Sequence, residues 1–141
     1  NINGVKAVTI ADNRWSRPDI KTTQLLPNVL AKTYANEKKA YEGIFIDHEG
    51  YVTEGSSSNI WIINKNDEIL TREIDGKILS GITRKTISQF AKNNNFKMLE
   101  KSFSKIRSKF FLKIFLGNKK NNITIVRFHF DCGIVIIPGC R

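Results

Sequence analysis

One lysine stands out in this chain because of the residues that precede it. Lys21 follows Arg17-Pro18-Asp19-Ile20, and a proline-containing loop can hold a side chain rigidly at the edge of a cleft. A lysine amine attacks an aldehyde to form an imine only when it is neutral, so burial or a nearby cation must lower its pKa. Arg14 and Arg17 are the candidates for that cation. The alternative is a solvated surface lysine, since the chain has many lysines.

A carboxylate followed by glycine and three serines forms the second chemical group. Glu54 precedes Gly55, Ser56, Ser57 and Ser58. A carboxylate beside a pyridine nitrogen keeps that nitrogen protonated, which makes the ring a better electron sink. Serine hydroxyls and backbone N–H groups are donors for an anion. The alternative for this segment is a flexible polar loop.

The third group is the sequence Gly81-Ile82-Thr83, which stands at the start of a predicted helix. The N-terminus of a helix binds phosphate through its free N–H groups and its dipole. Glycine permits close approach, and Thr83 is the expected cap. The alternative is an ordinary capped helix start. These three groups together fit one cofactor, pyridoxal 5′-phosphate (PLP). PLP needs a lysine that forms an imine, a carboxylate that binds the ring nitrogen and a turn that binds phosphate. Because PLP carries its own chemistry, the protein has only to position it.

The elements that must position these groups are strands alternating with two helices. Alternating or β-branched segments predict strands over residues 5–10, 41–47, 51–53, 60–63 and 68–71, with a hairpin turn at Glu49-Gly50. Apolar residues at helical spacing predict helices from Leu25 to the Lys38-Lys39 pair and over residues 83–93. This order of strands and helices along the chain predicts an α+β (mixed α/β) fold. From Lys101 onward only residues 134–137 are predicted as a strand.

Bulk properties favour a globular protein. The chain has 141 residues, 40% of them hydrophobic, which suffices for one compact domain or part of a larger one. It has no apolar run long enough to span a membrane and no signal-peptide pattern at its start, so a cytoplasmic location is predicted. Cys132 and Cys140 have no spacing typical of a zinc site or a disulfide framework, and no metal is predicted. Because the chain starts at Asn1 and enters a strand at once, we expect a piece of a longer protein.

The net charge of +10 is concentrated near the end of the chain. Residues 1–100 hold 14 Lys+Arg against 12 Asp+Glu, a balance of +2, whereas residues 101–141 hold 9 against 1, a balance of +8. Binding of nucleic acid would therefore depend on the tail alone. Runs of charged residues usually lie on solvent-exposed surfaces without binding a partner, so no nucleic-acid partner is predicted. The basic residues considered are Lys101, Lys105, Arg107, Lys109, Lys113, Lys119 and Lys120, interleaved with Phe103, Phe110, Phe111 and Phe115.

Three colinear segments resemble the fold-type IV PLP-dependent enzymes, the class IV aminotransferases. They are residues 14–21 with 25–32, residues 52–59 and residues 78–84. The resemblance extends from about Val5 to Phe103. It implies the larger C-terminal domain of the D-amino-acid aminotransferase-like fold, truncated, in a protein that forms a homodimer.

The resemblance also implies roles and a reaction. Lys21 would be the catalytic residue, which forms the imine and moves the substrate's α-proton, Glu54 would bind the ring nitrogen and Leu79 would pack on the ring. The implied cofactor-binding residues are Lys21, Glu54, Ser57, Ser58, Leu79, Gly81, Ile82 and Thr83. The implied substrates are an amino acid and a 2-oxo acid. Asp19-Ile20-Lys21 and the three serines favour the D-amino-acid branch, which converts D-alanine and 2-oxoglutarate to pyruvate and D-glutamate. The branched-chain aminotransferases and the aminodeoxychorismate lyases are the alternatives.

Two departures from the family pattern lead to a prediction about domains. The N-terminal domain that the resemblance implies, with its phosphate-binding arginine, is absent from the sequence. Where a Phe-Leu-Thr-Ser-type turn is expected, the chain has Phe115-Leu116-Gly117-Asn118, without hydroxyls. We therefore predict a cofactor-binding part over residues 1–103 and a divergent basic tail over 104–141, for which we hypothesise a frameshift. Such a fragment is expected to be inactive alone. The alternative from another class is a non-catalytic remnant whose basic tail binds a polyanion.

Overall fold

The computed structural model describes residues 6–63 and 66–104, and the backbone of residues 113–117, 123–129 and 133–138. Within these residues, strands and helices mix as the α+β prediction requires. The strands are β1 Lys6–Ala11, β2 Glu42–Ile46, β3 Val52–Gly55, β4 Asn59–Ile63, β5 Ile69–Thr71, β6 Met98–Glu100, β7 Lys113–Gly117, β8 Ile123–His129 and β9 Gly133–Pro138. The helices are α1 Leu26–Glu37 and α2 Ile82–Asn93.

The described strands form one sheet in the order β3-β2-β1-β9-β8-β7-β4-β5-β6. Two neighbouring pairs are parallel, β1 with β2 across α1 and β5 with β6 across α2, and the other pairs are antiparallel. The sheet curls until its ends approach, since the amide of Val52 donates to the carbonyl of Phe103 at 2.9 Å and Tyr51 forms a bridge with Ser104. The three residues 56–58 join the end of β3 to the start of β4.

Residues of several strands form a buried core. Trp61 and Ile62 of β4 are fully buried. The apolar cluster draws residues from five strands and from the segment after β6: Ala7, Ile44, Val52, Ile60, Ile62, Leu70 and Phe103. Strands from both ends of the sheet therefore contribute to one core.

Helix α1 lies unusually close to the sheet. Ala31 and Ala35 are its buried residues, and they face β2 where Gly43 stands. A Cβ atom added at Gly43 would lie 2.7 Å from Ile10 Cδ1 and 3.0 Å from the Ala31 carbonyl oxygen. Small residues on both surfaces therefore allow the approach. Pro27 lies in the first turn of α1, where its missing N–H costs no hydrogen bond.

The five strands predicted before residue 72, both helices and the Glu49-Gly50 turn are confirmed. Gly50 has a φ of 84°, which glycine adopts without strain. Two local predictions are wrong. Gly81, not Thr83, is the N-cap of α2, and α1 ends at Glu37, so that Lys38 follows the last turn.

Among the residues described beyond Lys101, three strands form where one was predicted. Strand β9 contains the predicted residues 134–137, while β7 and β8 were not predicted. β7 and β8 are each paired on both sides, so long-range pairing stabilises them where local periodicity is weak. The division at residue 103 and the frameshift hypothesis remain predictions. Asn118, Cys132, Cys140 and half of the basic tail (residues 105–112, 118–122, 130–132 and 139–141) lie outside the described residues.

Candidate active site

An open cleft lies between the loop that precedes α1, the end of β3 and the loop that precedes α2. Lys21, Glu54 and Leu79 all line it, so the structure brings together three of the predicted site residues. The complete lining is Arg14, Trp15, Pro18, Ile20, Lys21, Thr22, Gln24, Leu25, Asn28, Glu54 and Leu79.

Arg14 fixes one oxygen of the Glu54 carboxylate. Its Nη1 donates to Glu54 Oε1, while Nε and Nη2 donate to the two oxygens of Asp12 at 2.8 and 2.7 Å. The guanidinium lies 4.7 Å from the centre of the Phe45 ring. Burial opposes the charged form, but the bonds and charges of Asp12 and Glu54 outweigh it and raise the pKa of Arg14. Arg14 is therefore a permanent cation beside Glu54.

The second oxygen of Glu54 accepts two further hydrogen bonds. Its Oε2 accepts from the backbone N–H of Leu79 and from Asn59 Nδ2, each at 3.1 Å. Burial raises the pKa of the Glu54 carboxyl, against the opposing effect of Arg14. Both oxygens of the Glu54 carboxylate thus accept hydrogen bonds, and Glu54 lines the cleft.

Asn59 connects Glu54 to the start of α2. Its Nδ2 also donates to the carbonyl of Leu79 at 2.9 Å, and the amide of Gly81 donates to the same carbonyl at 2.9 Å. A Cβ atom at Gly81 would lie 2.7 Å from Asn59 Oδ1, so a larger residue at this N-cap would have to displace the hydrogen-bonded Asn59 side chain. Ile82 is 78% exposed at the first position of α2. The predicted phosphate-binding residues Gly81, Ile82 and Thr83 adjoin the cleft but are not among its lining residues.

The loop that carries Leu79 is fixed by charged residues on both sides. The carbonyl of Lys77 accepts from Arg14 Nη2 at 3.2 Å. Lys77 Nζ pairs with Asp47 at 3.2 Å and with Glu49 at 3.0 Å, both in the β2–β3 hairpin. These contacts hold Leu79 at the cleft wall.

The three serines donate to a carboxylate that the sequence analysis missed. Ser56 Oγ donates to Glu42 Oε1, and the hydroxyls of Ser57 and Ser58 donate to Glu42 Oε2 at 2.9 and 3.3 Å. The hydroxyls predicted to bind an anion therefore face Glu42 of β2. Glu42 begins β2 and the serines follow β3, so the antiparallel pairing of the predicted hairpin is the signal that could have found this contact.

Lys21 is exposed on the cleft wall, and its two expected cationic neighbours are ion-paired. Arg17 Nη2 pairs with Asp19 at 2.8 Å. Arg14 is compensated by Asp12 and Glu54. Both arginines that the sequence suggested as cations near Lys21 are therefore bound to carboxylates, and the activation of Lys21 stays a prediction.

The described residues contain neither a metal-binding cluster nor a membrane-spanning helix. Across the described residues, no group of His, Cys, Asp and Glu side chains is arranged to hold a metal ion. Neither of the helices in the described part of the chain has the length and hydropathy needed to cross a membrane.

A family profile matches nearly the whole chain. The amino-transferase class IV profile aligns with residues 3–127, which include every residue of the cleft. The chain belongs to the class IV aminotransferase family. The resemblance noted in the sequence is thereby confirmed.

Curated relatives of this class IV chain include D-alanine aminotransferases. The protein from Bacillus licheniformis is 44% identical over 103 residues, which are 73% of this chain and 36% of the relative. The protein from Staphylococcus aureus (strain N315) is 48% identical over 103 residues, 72% of this chain and 36% of the relative. The chain thus spans about a third of the length of these relatives.

Solved structures of class IV enzymes share the fold. A branched-chain aminotransferase from Thermoproteus uzoniensis, with norvaline, superposes with a TM-score of 0.73 at 26% identity, over 88% of this chain and 43% of that one. A putative 4-amino-4-deoxychorismate lyase from Legionella pneumophila gives a TM-score of 0.75 at 25% identity, over 85% of this chain and 46% of that one. These likenesses support the predicted fold class.

Proposed function

We propose that this chain binds PLP in the cleft and belongs to an enzyme that transfers the amino group of D-alanine, or a similar D-amino acid, to 2-oxoglutarate. The observation that carries the proposal is the presence of Lys21, Glu54 and Leu79 on one cleft. The names of the curated relatives favour D-alanine as the donor.

The donor set of the cleft fits PLP chemically. Lys21 supplies an amine for the aldehyde, Glu54 a carboxylate for the ring nitrogen, Leu79 an apolar surface for the ring, and the start of α2 N–H groups for the phosphate. Bound PLP supplies an electron sink for the substrate's α-carbon. Arg14 favours the ionised form of Glu54, the form that accepts a hydrogen bond from a protonated ring nitrogen and keeps it protonated.

The remaining roles are proposals of the same kind. Lys21 would be the catalytic residue, because an amine at the cleft wall can take and return a proton. Gly81, Ile82 and Thr83 would hold phosphate through α2. Ser57 and Ser58 would belong to the cofactor pocket through their backbone, since their hydroxyls are bonded to Glu42.

Cofactor binding is tested by adding PLP to the purified chain and recording its absorbance. We expect an imine band that Lys21→Ala abolishes and that Lys92→Ala, at an exposed lysine of α2, leaves unchanged. Borohydride should fix the cofactor on the peptide that contains Lys21, as mass spectrometry would show. An equal band in the Lys21→Ala protein, or labelling of other lysines alone, would contradict the assignment.

The amino donor is tested on the PLP-loaded chain. We expect D-alanine to diminish the imine band and release pyruvate, whereas L-leucine should have no effect. A response to L-leucine alone would favour the branched-chain alternative. Sustained turnover is not expected from this chain alone, which spans about a third of its relatives.

Three further proposals come from the sequence. We propose a homodimer, which sedimentation velocity tests, and a cytoplasmic location, which cell fractionation tests.

We also propose that residues 104–141 are a divergent tail, and sequencing of the gene around codon 103 tests the frameshift. Salt-dependent retention on heparin that disappears without residues 101–141 would favour the polyanion-binding alternative.

A further inference from the structure

A buried carboxylate lies beneath the loop Ser56–Ser58, here called the serine loop. Glu42 is 2% exposed, and every hydroxyl of the loop donates to it. A buried carboxylate is tolerated when such donors compensate for its lost hydration. Glu42 and the serine loop therefore form one hydrogen-bonded unit.

The approach of the serine loop to Glu42 requires Gly55. A Cβ atom at Gly55 would lie 2.3 Å from Ser58 Oγ and 3.3 Å from Glu42 Cγ. The backbone adds two bonds, from Ser56 N to the Gly43 carbonyl at 2.8 Å and from Gly55 N to the Ser58 carbonyl at 2.7 Å. The tight turn is thus shaped around the carboxylate.

The serine loop joins two residues that hold the cleft together. Glu54 lies at the end of β3, just before the loop, and Asn59 begins β4, just after it. On the cleft side, Asn28 Nδ2 donates to the Ser56 carbonyl at 2.9 Å. A shift of the loop would therefore displace Glu54 and Asn59 relative to each other.

We propose that Glu42 is a positioning residue for the cofactor: its carboxylate fixes the serine loop and thereby sets Glu54 at the cleft. The inference rests on the proposed binding of PLP. Glu42 is not a lining residue of the cleft, so it acts through the loop. Glutamine would keep the volume of the side chain but replace one accepting oxygen with an NH₂ group, which cannot accept a hydroxyl proton.

The test is a titration of the chain with PLP, followed by the imine band, well below the melting temperature of each variant. Loss of a hydrogen bond to a charged group predicts a Kd about tenfold higher for Glu42→Gln. The control Glu37→Gln, at the exposed end of α1, should leave the Kd unchanged. If Glu42 acts through the serines, its substitution should change the Kd much less in a Ser57→Ala/Ser58→Ala protein than in the unmodified chain.

Several results would overturn the inference. One is a Glu42→Gln protein with a lower melting temperature but an unchanged Kd, because that result describes a merely structural residue. Another is a Glu42→Gln substitution that raises the Kd by the same factor in the unmodified chain and in the Ser57→Ala/Ser58→Ala protein. If Glu42→Gln does not fold, Ser57→Ala/Ser58→Ala decides: a raised Kd supports the inference and an unchanged Kd overturns it. Failure of the unmodified chain to give a Lys21-dependent band would instead overturn the proposed function, and this inference with it.

Discussion

At the scale of single residues, the orientation of Glu54 depends on groups from three separate parts of the chain. Arg14 precedes it by 40 residues, and Leu79 follows it by 25. Asn59 donates to both Glu54 and the Leu79 carbonyl, so one amide aligns the carboxylate with the loop before α2. The site therefore depends on buried polar contacts whose removal leaves partners unsatisfied.

Gly81 is the residue at which this arrangement is most easily tested. Its backbone, with φ −68° and ψ 153°, suits alanine, so Gly81→Ala adds only a steric conflict with Asn59 Oδ1. We expect a loss of about 1–3 kcal/mol in the free energy of unfolding, measured with urea, and weaker binding of PLP.

A double-mutant cycle gives that prediction its control. In an Asn59→Ala background the conflicting atom is gone, so Gly81→Ala should cost much less there. Ser80→Ala, one position earlier, should change stability by less than about 0.5 kcal/mol. The same cost for Gly81→Ala in both backgrounds would show that Asn59 is not the constraint.

At the scale of elements, the close approach of α1 to the sheet places Asn28 over the serine loop. Gly43→Ala would put a Cβ atom against Ile10 and the Ala31 carbonyl, and a backbone carbonyl cannot move without the helix. We expect about 1–3 kcal/mol of destabilisation in urea, and a raised Kd for PLP because Asn28 moves with α1. Val29→Ala, on the exposed face of α1, should have little effect on either quantity. An unchanged Kd would show that the packing of α1 against the sheet does not affect the binding of PLP in the cleft.

The elements also show what the sequence could predict and why the rest was missed. Helix α2 and strands such as β4 have their own apolar patterns, and the family motif led to Lys21 and Glu54, which line one cleft in the structure. Sheet order depends on pairing between distant segments, so the insertion of β9 between β1 and β8 has no local signature. The contact of Glu42 with the serines has a different origin, the β2–β3 hairpin, whose antiparallel pairing brings the start of β2 to the loop after β3. The sequence predicted the hairpin but not its register, which shifts between Ile44 and Ile46.

At the scale of the whole molecule, buried carboxylates paired with cations join separate parts of the fold. Burial works against ionisation at Asp12, but the bonds and charge of Arg14 outweigh it and hold its pKa below the ordinary 3.8. At Asp47 burial is likewise outweighed, by the N–H of Tyr51 and by Lys77 and Arg72, so its pKa is also lowered. Asp12 supports the cleft through Arg14, and Asp47 joins the β2–β3 hairpin to the loop before α2.

These shifts predict a chain that loses stability in acid. A carboxyl whose folded pKa is depressed contributes stability that is fully present above its unfolded pKa, near 3.8 for aspartate, and is lost as the pH falls through the lower folded value. Glu54, with a raised pKa, has the opposite sign and offsets part of the loss. Urea unfolding between neutral pH and about pH 3 should therefore show a falling free energy below about pH 4.

Asp12→Asn isolates one contribution to this acid sensitivity. The variant should be less stable near neutral pH, because Arg14 loses a charged partner, and its stability should fall less steeply below about pH 4. Asp67→Asn, at an exposed turn residue, should leave both the neutral stability and the slope unchanged. An unaltered slope in Asp12→Asn would mean that other carboxylates cause the acid loss. Since Arg14 also holds Glu54, the same variant should bind PLP more weakly at neutral pH, which would link the stability of the fold to the cleft.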